Sequence, residues 1–166
     1  MTDQQLKNSL EALQAGDKEA FSAIYTELKT PVYTVLVRLT GDRQLSEDLL
    51  QEVFLRLYRQ PPDADKPRAY VFRMARNLAI DALRQKQPSE PLEELPIYPD
   101  HDLKLDLERA FARLTVQQRQ LVALHLSAGL TFREVAAIVE RPLGTVLWQY
   151  RKAVEKLRDL LDGGTL

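Results

Sequence analysis

The stretch LTVQQRQLVALHLSAGLTFREVAAIVERPLGTVLWQYRKAVEKLRDL, residues 114–160, decides how the rest of the chain is read. Two helix starts stand out in it. Thr115 with Gln118, and Thr131 with Glu134, each place a hydroxyl three residues before a long polar side chain, so that both side chains satisfy otherwise unpaired backbone N–H groups. The first helix is expected to stop at Gly129, a residue favoured just past a helix end. The second is short, because Arg141-Pro142 closely follows Val135, Ala136 and Val139. A third helix starts with Pro142 near its first turn, where a missing N–H costs nothing. A short helix, a tight turn and a longer helix make a helix-turn-helix, whose second helix lies in the DNA major groove.

Phase assigns the faces of that longer helix. At about 100° per residue, Val146, Tyr150, Ala153, Leu157 and Leu160 fall on one stripe, while Thr145, Trp148, Arg151, Lys152 and Glu155 fall opposite. The first stripe is assigned to the core and the second to the reading face. A plain three-helix bundle with a solvated charged face has the same pattern, so this stretch alone leaves both readings open.

The length of 166 residues suits one or two small domains with modest helical cores. Cysteine is absent, which excludes disulfides, thiolate metal sites and thiol redox sensing within this chain. The start, MTDQQLKNSLEAL, carries acids and no long apolar run, so a cytoplasmic protein with neither signal peptide nor membrane insertion is expected. Net charge is −1, from 23 basic and 24 acidic residues, but its distribution is uneven. Between Lys66 and Lys86 six cations face the single acid Asp81; between Glu90 and Glu108 seven acids face Lys104 alone.

Upstream, Leu6, Leu10 and Leu13 space a short amphipathic helix that Gly16 breaks, and Asp17 caps the next, with Ala20, Phe21, Ile24, Tyr25 and Leu28 on one side. Pro31 is read as starting a separate helix, Val32 to Leu39, closed by Gly41. Ser46 is the expected N-cap of EDLLQEVFLRLYR, with Glu47 and Asp48 in its first turn. There Leu49, Leu50, Val53, Phe54, Leu57 and Tyr58 form the expected core stripe. Asp48, Gln51, Glu52, Leu55 and Arg59 share the other side, a polar rim around one apolar contact.

After the proline-rich loop Pro61 to Asp65, Asp65 is expected to cap KPRAYVFRMARNLAIDALRQK. Val71, Met74, Ala75, Leu78 and Ala82 are assigned to the core, and Lys66, Arg73, Arg76, Asn77, Ile80 and Arg84 to the opposite face. Cations at helical spacing suit a phosphate backbone, and Tyr70 and Phe72 flank them as rings on which unpaired bases stack, although Phe72 is better placed in the core. Pro88, Pro91, Pro96 and Pro99 then crowd an acidic stretch read as a linker. The chain is thus expected to be all-α: a helical domain over 1–87, a flexible linker over 88–101 and a helix-turn-helix domain over 102–166.

The segments SEDLLQEVFLRLYR, KPRAYVFRMARNLAIDALR and LTVQQRQLVALHLSAGLTFREVAAIVERPLGTV, in this order, resemble the conserved regions of the extracytoplasmic-function (ECF) group of alternative RNA polymerase sigma factors. The resemblance implies two helical domains acting as a promoter-specificity subunit, without catalytic residues, metal or cofactor. It implies that Asp48, Gln51, Glu52 and Leu55 dock on the clamp helices of core RNA polymerase. Lys66, Tyr70, Arg73, Arg76, Asn77 and Arg84 would contact and open the −10 promoter box, and the Pro61 to Asp65 loop would hold a flipped base. Arg141, Thr145, Trp148, Arg151 and Lys152 would read the −35 box, with Arg158 available for phosphates, and an anti-sigma protein would hold the chain inactive. One departure stands out. After Gly144-Thr145-Val146 the family commonly continues Lys-Ser-Arg, where this chain has Leu147, Trp148 and Gln149. Trp148 is left with two roles, contact with thymine methyl groups or anchorage of a protein partner.

Two other classes compete. A free-standing helix-turn-helix regulator would bind a palindromic site as a dimer, but it leaves the Asp48/Gln51/Glu52/Leu55 face unexplained. A hydrolase using Asp48 and Glu52 around a metal would need further ligands, and the only histidines, His101 and His125, are distant in sequence.

Overall fold

Thr2 opens the first helix with a capping box: its hydroxyl accepts from the Gln5 N–H at 3.2 Å and its own N–H donates to the Gln5 carboxamide at 2.8 Å. Helix α1, Asp3–Gln14, buries Leu6, Leu10 and Leu13 at the spacing the sequence sets. Helix α2 runs without interruption from Lys18 to Thr40, so the break expected at Pro31 does not occur. An interior proline costs about 3 kcal/mol. Against that, α2 buries Ile24, Leu28, Val32, Val35, Leu36 and Leu39 on one continuous face, and each such side chain contributes about 1.5–3 kcal/mol. Packing on α1, α3 and α4 outweighs the one lost hydrogen bond.

Helix α3, Arg43–Arg59, starts earlier than Ser46 would have set it. Asp42 is the N-cap, accepting from the Leu45 N–H at 3.0 Å, while the buried Ser46 hydroxyl donates back to the Asp42 carbonyl at 2.7 Å and sits 2.9 Å from the Thr40 hydroxyl. Glu47 and Asp48 therefore lie beyond the first turn. Leu50, Val53, Phe54 and Leu57 are buried as expected and Leu49 is half-buried, but Tyr58, assigned to the core, is 42% exposed.

Helix α4, Pro67–Lys86, is anchored at its start by α1 rather than by Asp65: the Arg68 N–H donates to the Asp3 carboxylate at 3.2 Å, and Asp65 pairs with Lys7 at 3.4 Å. Its buried residues are Pro67, Val71, Phe72, Ala75, Ala79, Ile80 and Leu83, whereas Met74, Leu78 and Ala82 are half-buried. Ile80, assigned to the basic face, is buried because Val116, far along the chain, covers it and Leu83. A helix covered from two sides has a wider apolar face than one core requires.

The structure, a computed structural model, describes residues 1–86 and 106–162. The linker expected over 88–101 and the first residues of the domain expected from 102 lie outside these residues. The second helical unit comprises α5, Asp106–Ala112; α6, Val116–Val122, prolonged by a π turn, Ala123–Ser127; α7, Phe132–Val139; and α8, Leu143–Asp162. Both expected capping boxes form, on Thr115 and Thr131. Gly129 adopts φ +73°, the left-handed conformation that suits glycine, and Glu140 adopts φ 56° to end α7 before Pro142. The described residues contain helices and no strand.

The two units pack together. One apolar cluster extends from Leu6 and Leu10 through α2 to Leu121, Leu124 and Val146. Within the contact lies Arg119, 1% exposed, which donates to the Arg38 carbonyl at 2.8 Å and to the Leu114 carbonyl at 3.3 Å. Burial lowers its guanidinium pKa to about 9, against the upward pull of Glu108. Arg38 in turn approaches Glu108 at 3.6 Å, donates to Ser127 and lies 4.8 Å from the centre of the Phe111 ring.

Glu108 is therefore the countercharge for two poorly solvated guanidiniums. Glu108→Gln is expected to lower unfolding stability by about 3 kcal/mol, because a buried charge left uncompensated is costly. Arg119→Met, which removes the buried charge, is expected to cost less. Urea denaturation of both variants checks the order.

Candidate nucleic-acid and protein interfaces

Three faces inherit the residues that the sequence singles out. On the outer side of α3, Asp48, Gln51, Leu55 and Arg59 are exposed, and Glu52 is half-buried. Leu55 stands 41% exposed among them, and Glu52 accepts from Arg56 at 2.8 Å, one helical turn on. Asp48, Gln51 and Leu55 are all presented to solvent, an apolar side chain rimmed by an acid and an amide. Tyr58 extends the neighbourhood of this face: its ring meets Phe21 edge-on at 5.2 Å, and Phe21 and Tyr25 continue the contact to Phe54. The sequence pattern missed this placement because a ring at a core-phase position can satisfy its apolar side against Phe21 while its hydroxyl edge reaches water.

On α4, Lys66, Tyr70, Arg73, Asn77 and Arg84 are exposed. Tyr70, Arg73 and Asn77 join Arg56 and Arg59 of α3 around a hollow of about 510 Å³. This gathers cations, an aromatic ring and an amide from two helices, the chemistry that holds a nucleic-acid backbone and stacks a base. Asp81 is the one carboxylate on its wall. Arg76 differs from its neighbours. It is half-buried, donating from Nε to the Gln120 carboxamide of α6 at 2.8 Å and from Nη1 to Asn77 at 3.0 Å. Its pKa is lowered, first by burial and then by the charge of Arg84, with Glu140 and Asp81 opposing. Thus Arg76 shares a helix face with Arg73 and Asn77 but is engaged by the second unit. A cavity of about 150 Å³ separates these three residues from α7, at Ala137 to Glu140.

The third face lies on α8. The helix pair beneath it is clamped by aromatics: His125 of the π turn stacks on Phe132 of α7 at 3.8 Å, both rings meet Tyr150 of α8 edge-on at 5.0 and 4.9 Å, and the His125 ring Nδ1 lies 2.8 Å from the Leu130 carbonyl. Burial raises the pKa of the Tyr150 phenol. The buried Val146, Ala153 and Leu157 face inward, as phase requires, and Thr145, Trp148, Arg151 and Lys152 are exposed, with Arg141 half-buried beside them. Trp148 is 59% exposed, and the Lys152 ammonium lies 5.6 Å from its ring centre.

Sequence reading did not find Arg38, Arg119 and Gln120, the polar residues that join the units. A signal was present. Arg119 stands three residues after Val116 and four before Ala123, on the apolar side of its helix, where a cation needs a buried partner.

Comparison with known proteins follows the same two units. Residues 24–88 match the family Sigma-70 region 2, and residues 110–159 match Sigma-70, region 4. The chain is 30% identical over 171 residues to the ECF RNA polymerase sigma factor SigK of Mycobacterium ulcerans, spanning 92% of this chain and 91% of that one. Among solved structures, it resembles CnrH, determined in complex with the cytosolic domain of CnrY, with a TM-score of 0.70, 18% identity, and coverage of 96% and 98%. It also resembles RpoE of Bartonella quintana, determined with the anti-sigma factor NepR, with a TM-score of 0.61, 21% identity, and coverage of 84% and 97%.

Trp148 is the sole tryptophan, so tryptophan emission, excited apart from the six tyrosines, reports this face alone. Iodide is expected to quench it efficiently, drawn by the cation over the ring. Lys152→Glu should cut the iodide quenching constant roughly in half, while neutral acrylamide quenches both proteins alike.

Proposed function

The chain belongs to the ECF family of RNA polymerase sigma factors, and from that premise we propose that it docks on the clamp helices of core polymerase through α3 and places α4 and α8 on the −10 and −35 boxes of a promoter. The observation that carries this reading is the coexistence, in one chain, of a region 2 match and a region 4 match whose polar faces have different chemistry. The α3 face is acid and amide around Leu55, suited to a protein groove. The α4 hollow and the α8 face are cationic, suited to phosphate.

In this assignment residues 1–87 form the polymerase-docking and −10 domain, 88–101 the connector and 102–166 the −35 domain. Asp48, Gln51, Glu52 and Leu55 meet the polymerase. Lys66, Tyr70, Arg73, Arg76, Asn77 and Arg84 serve the −10 box, and the loop from Pro61 to Asp65 holds a base withdrawn from the stack. Arg141, Thr145, Trp148, Arg151 and Lys152 serve the −35 box. Arg76 donates to Gln120 in the packed arrangement, so its use on DNA requires that contact to open. The chain acts as an initiation factor and leaves the chemistry of RNA synthesis to the polymerase, in the cytoplasm. Among the described residues no helix is long and apolar enough to cross a membrane. An anti-sigma protein completes the proposal; RpoE, whose fold this chain shares, was solved with such a partner.

Docking and DNA reading are separable by substitution. Glu52→Lys combined with Leu55→Glu is expected to weaken binding to core polymerase by more than ~10-fold, about 1.4 kcal/mol. Arg151→Ala with Lys152→Ala should leave that affinity within about twofold while weakening promoter binding and flattening its salt dependence. Equal polymerase affinity for wild type and the α3 variant, both folded, would remove the docking assignment.

A further inference from the structure

We propose that Trp148 reads the 5-methyl group of a thymine in the upstream promoter box, so that one position of that box is recognised through an apolar contact. The inference rests on the promoter-reading role assigned above and names the chemical group this side chain selects.

Position comes first. Trp148 is the sixth residue of α8, in the part of a recognition helix that reaches base edges, and its indole is 59% exposed beside Thr145, Arg151 and Lys152. Burial of an indole removes a large apolar area from water, so this ring gains from any apolar group brought against it. The surroundings decide between nucleic acid and protein. The hollow of about 330 Å³ beside the ring is lined by Thr115, Gln117, Gln118, Arg141, Gln149 and Lys152: a hydroxyl, three amides and two cations, with no carboxylate on its wall. Glu155, 3.7 Å from Lys152, lies one turn beyond it. Cations and amides around a single ring are complementary to an anionic backbone carrying hydrogen-bonding base edges.

Base chemistry then narrows the target. Indole has one N–H donor and no acceptor, so it cannot reproduce the two-point contacts by which arginine selects guanine or glutamine selects adenine. The thymine methyl is the one apolar group that base pairs present in the major groove, and aromatic contact with it is an established mode of readout. Lys152, held over the ring at 5.6 Å, is placed to meet a phosphate while the ring edge meets the groove. Gln149 is already tied by Gln117 at 3.3 Å, whereas the Trp148 ring, with Lys152 over it, stays 59% exposed.

Replacing thymine by deoxyuridine deletes the methyl and preserves base pairing, so it isolates this contact. Holoenzyme is assembled from core polymerase and the full chain, and binding is measured on a promoter it initiates from, with each upstream-box thymine replaced in turn. The expected result is one position at which uracil weakens wild-type binding about 3- to 10-fold. Trp148→Ala should bind the thymine promoter correspondingly weakly and no longer distinguish thymine from uracil there. Trp148→Phe should keep part of the discrimination. Equal wild-type binding to thymine and uracil promoters at every position overturns the proposal, as does unchanged discrimination by Trp148→Ala. If that variant keeps the discrimination but loses affinity for polymerase or a bound protein inhibitor, the ring is a protein anchor. Failure of wild-type holoenzyme to bind any promoter specifically appears before the uracil comparison and overturns the promoter-reading role itself.

Discussion

The buried meeting of Arg119 with Arg38 is the contact on which the arrangement of this protein depends. Arg119 leaves α6, crosses into the first unit and donates to the carbonyl of Arg38 near the end of α2; Arg38 returns to Ser127 and Glu108 of the second unit. A guanidinium taken out of water at this depth is tolerated because two backbone carbonyls accept from it and the charge of Glu108 favours its ionised form. The apolar cluster around it is continuous from α1 to α8, so the polar exchange fixes where one helical unit sits on the other. From that register follow the burial of Ile80 under Val116 and the hydrogen bond that turns Arg76 onto Gln120.

This packing places the candidate nucleic-acid faces under different constraints. Arg73, Asn77 and Tyr70 open onto a hollow shared with α3, and the α8 face is fully presented, whereas Arg76 is spent on an internal contact. An arginine engaged by a neutral amide is held without a buried countercharge, an arrangement from which it can be released more readily than from a buried ion pair. The clamp of His125, Phe132 and Tyr150 acts in the opposite sense, fixing α7 against α8 so that the reading face is rigid.

Much of this was legible in the residues themselves. The capping boxes at Thr115 and Thr131, the stop at Gly129 and the two stripes of α8 are local effects, set by side chains within one turn of each other, and each occurs where the sequence puts it. Apart from Ser46, whose hydroxyl partner lies six residues away, the departures have non-local causes. Pro31 fails to break α2 because three neighbouring helices bury the face on either side of it. Ser46 yields the cap to Asp42 because its hydroxyl turns inward to Thr40. Asp65 yields α4 to Asp3, and Ile80 is covered from a unit that begins far along the chain. Of the candidate site residues, those on α3 and α8 are placed by helical phase alone. Arg76, bonded to Gln120, and Arg73 and Asn77, which line the cavity against α7, have surroundings that depend on long-range packing.

The central claim is that this chain gives core polymerase a promoter preference with two boxes. It is tested most directly by sequencing the starts of transcripts made by sigma-free core polymerase and the purified chain on a genomic DNA library. The account predicts discrete starts preceded by two conserved boxes at a fixed separation, read by α4 and α8, and no such starts from core polymerase alone. Starts without shared upstream boxes would contradict it, as would a palindromic footprint formed by the chain in the absence of polymerase.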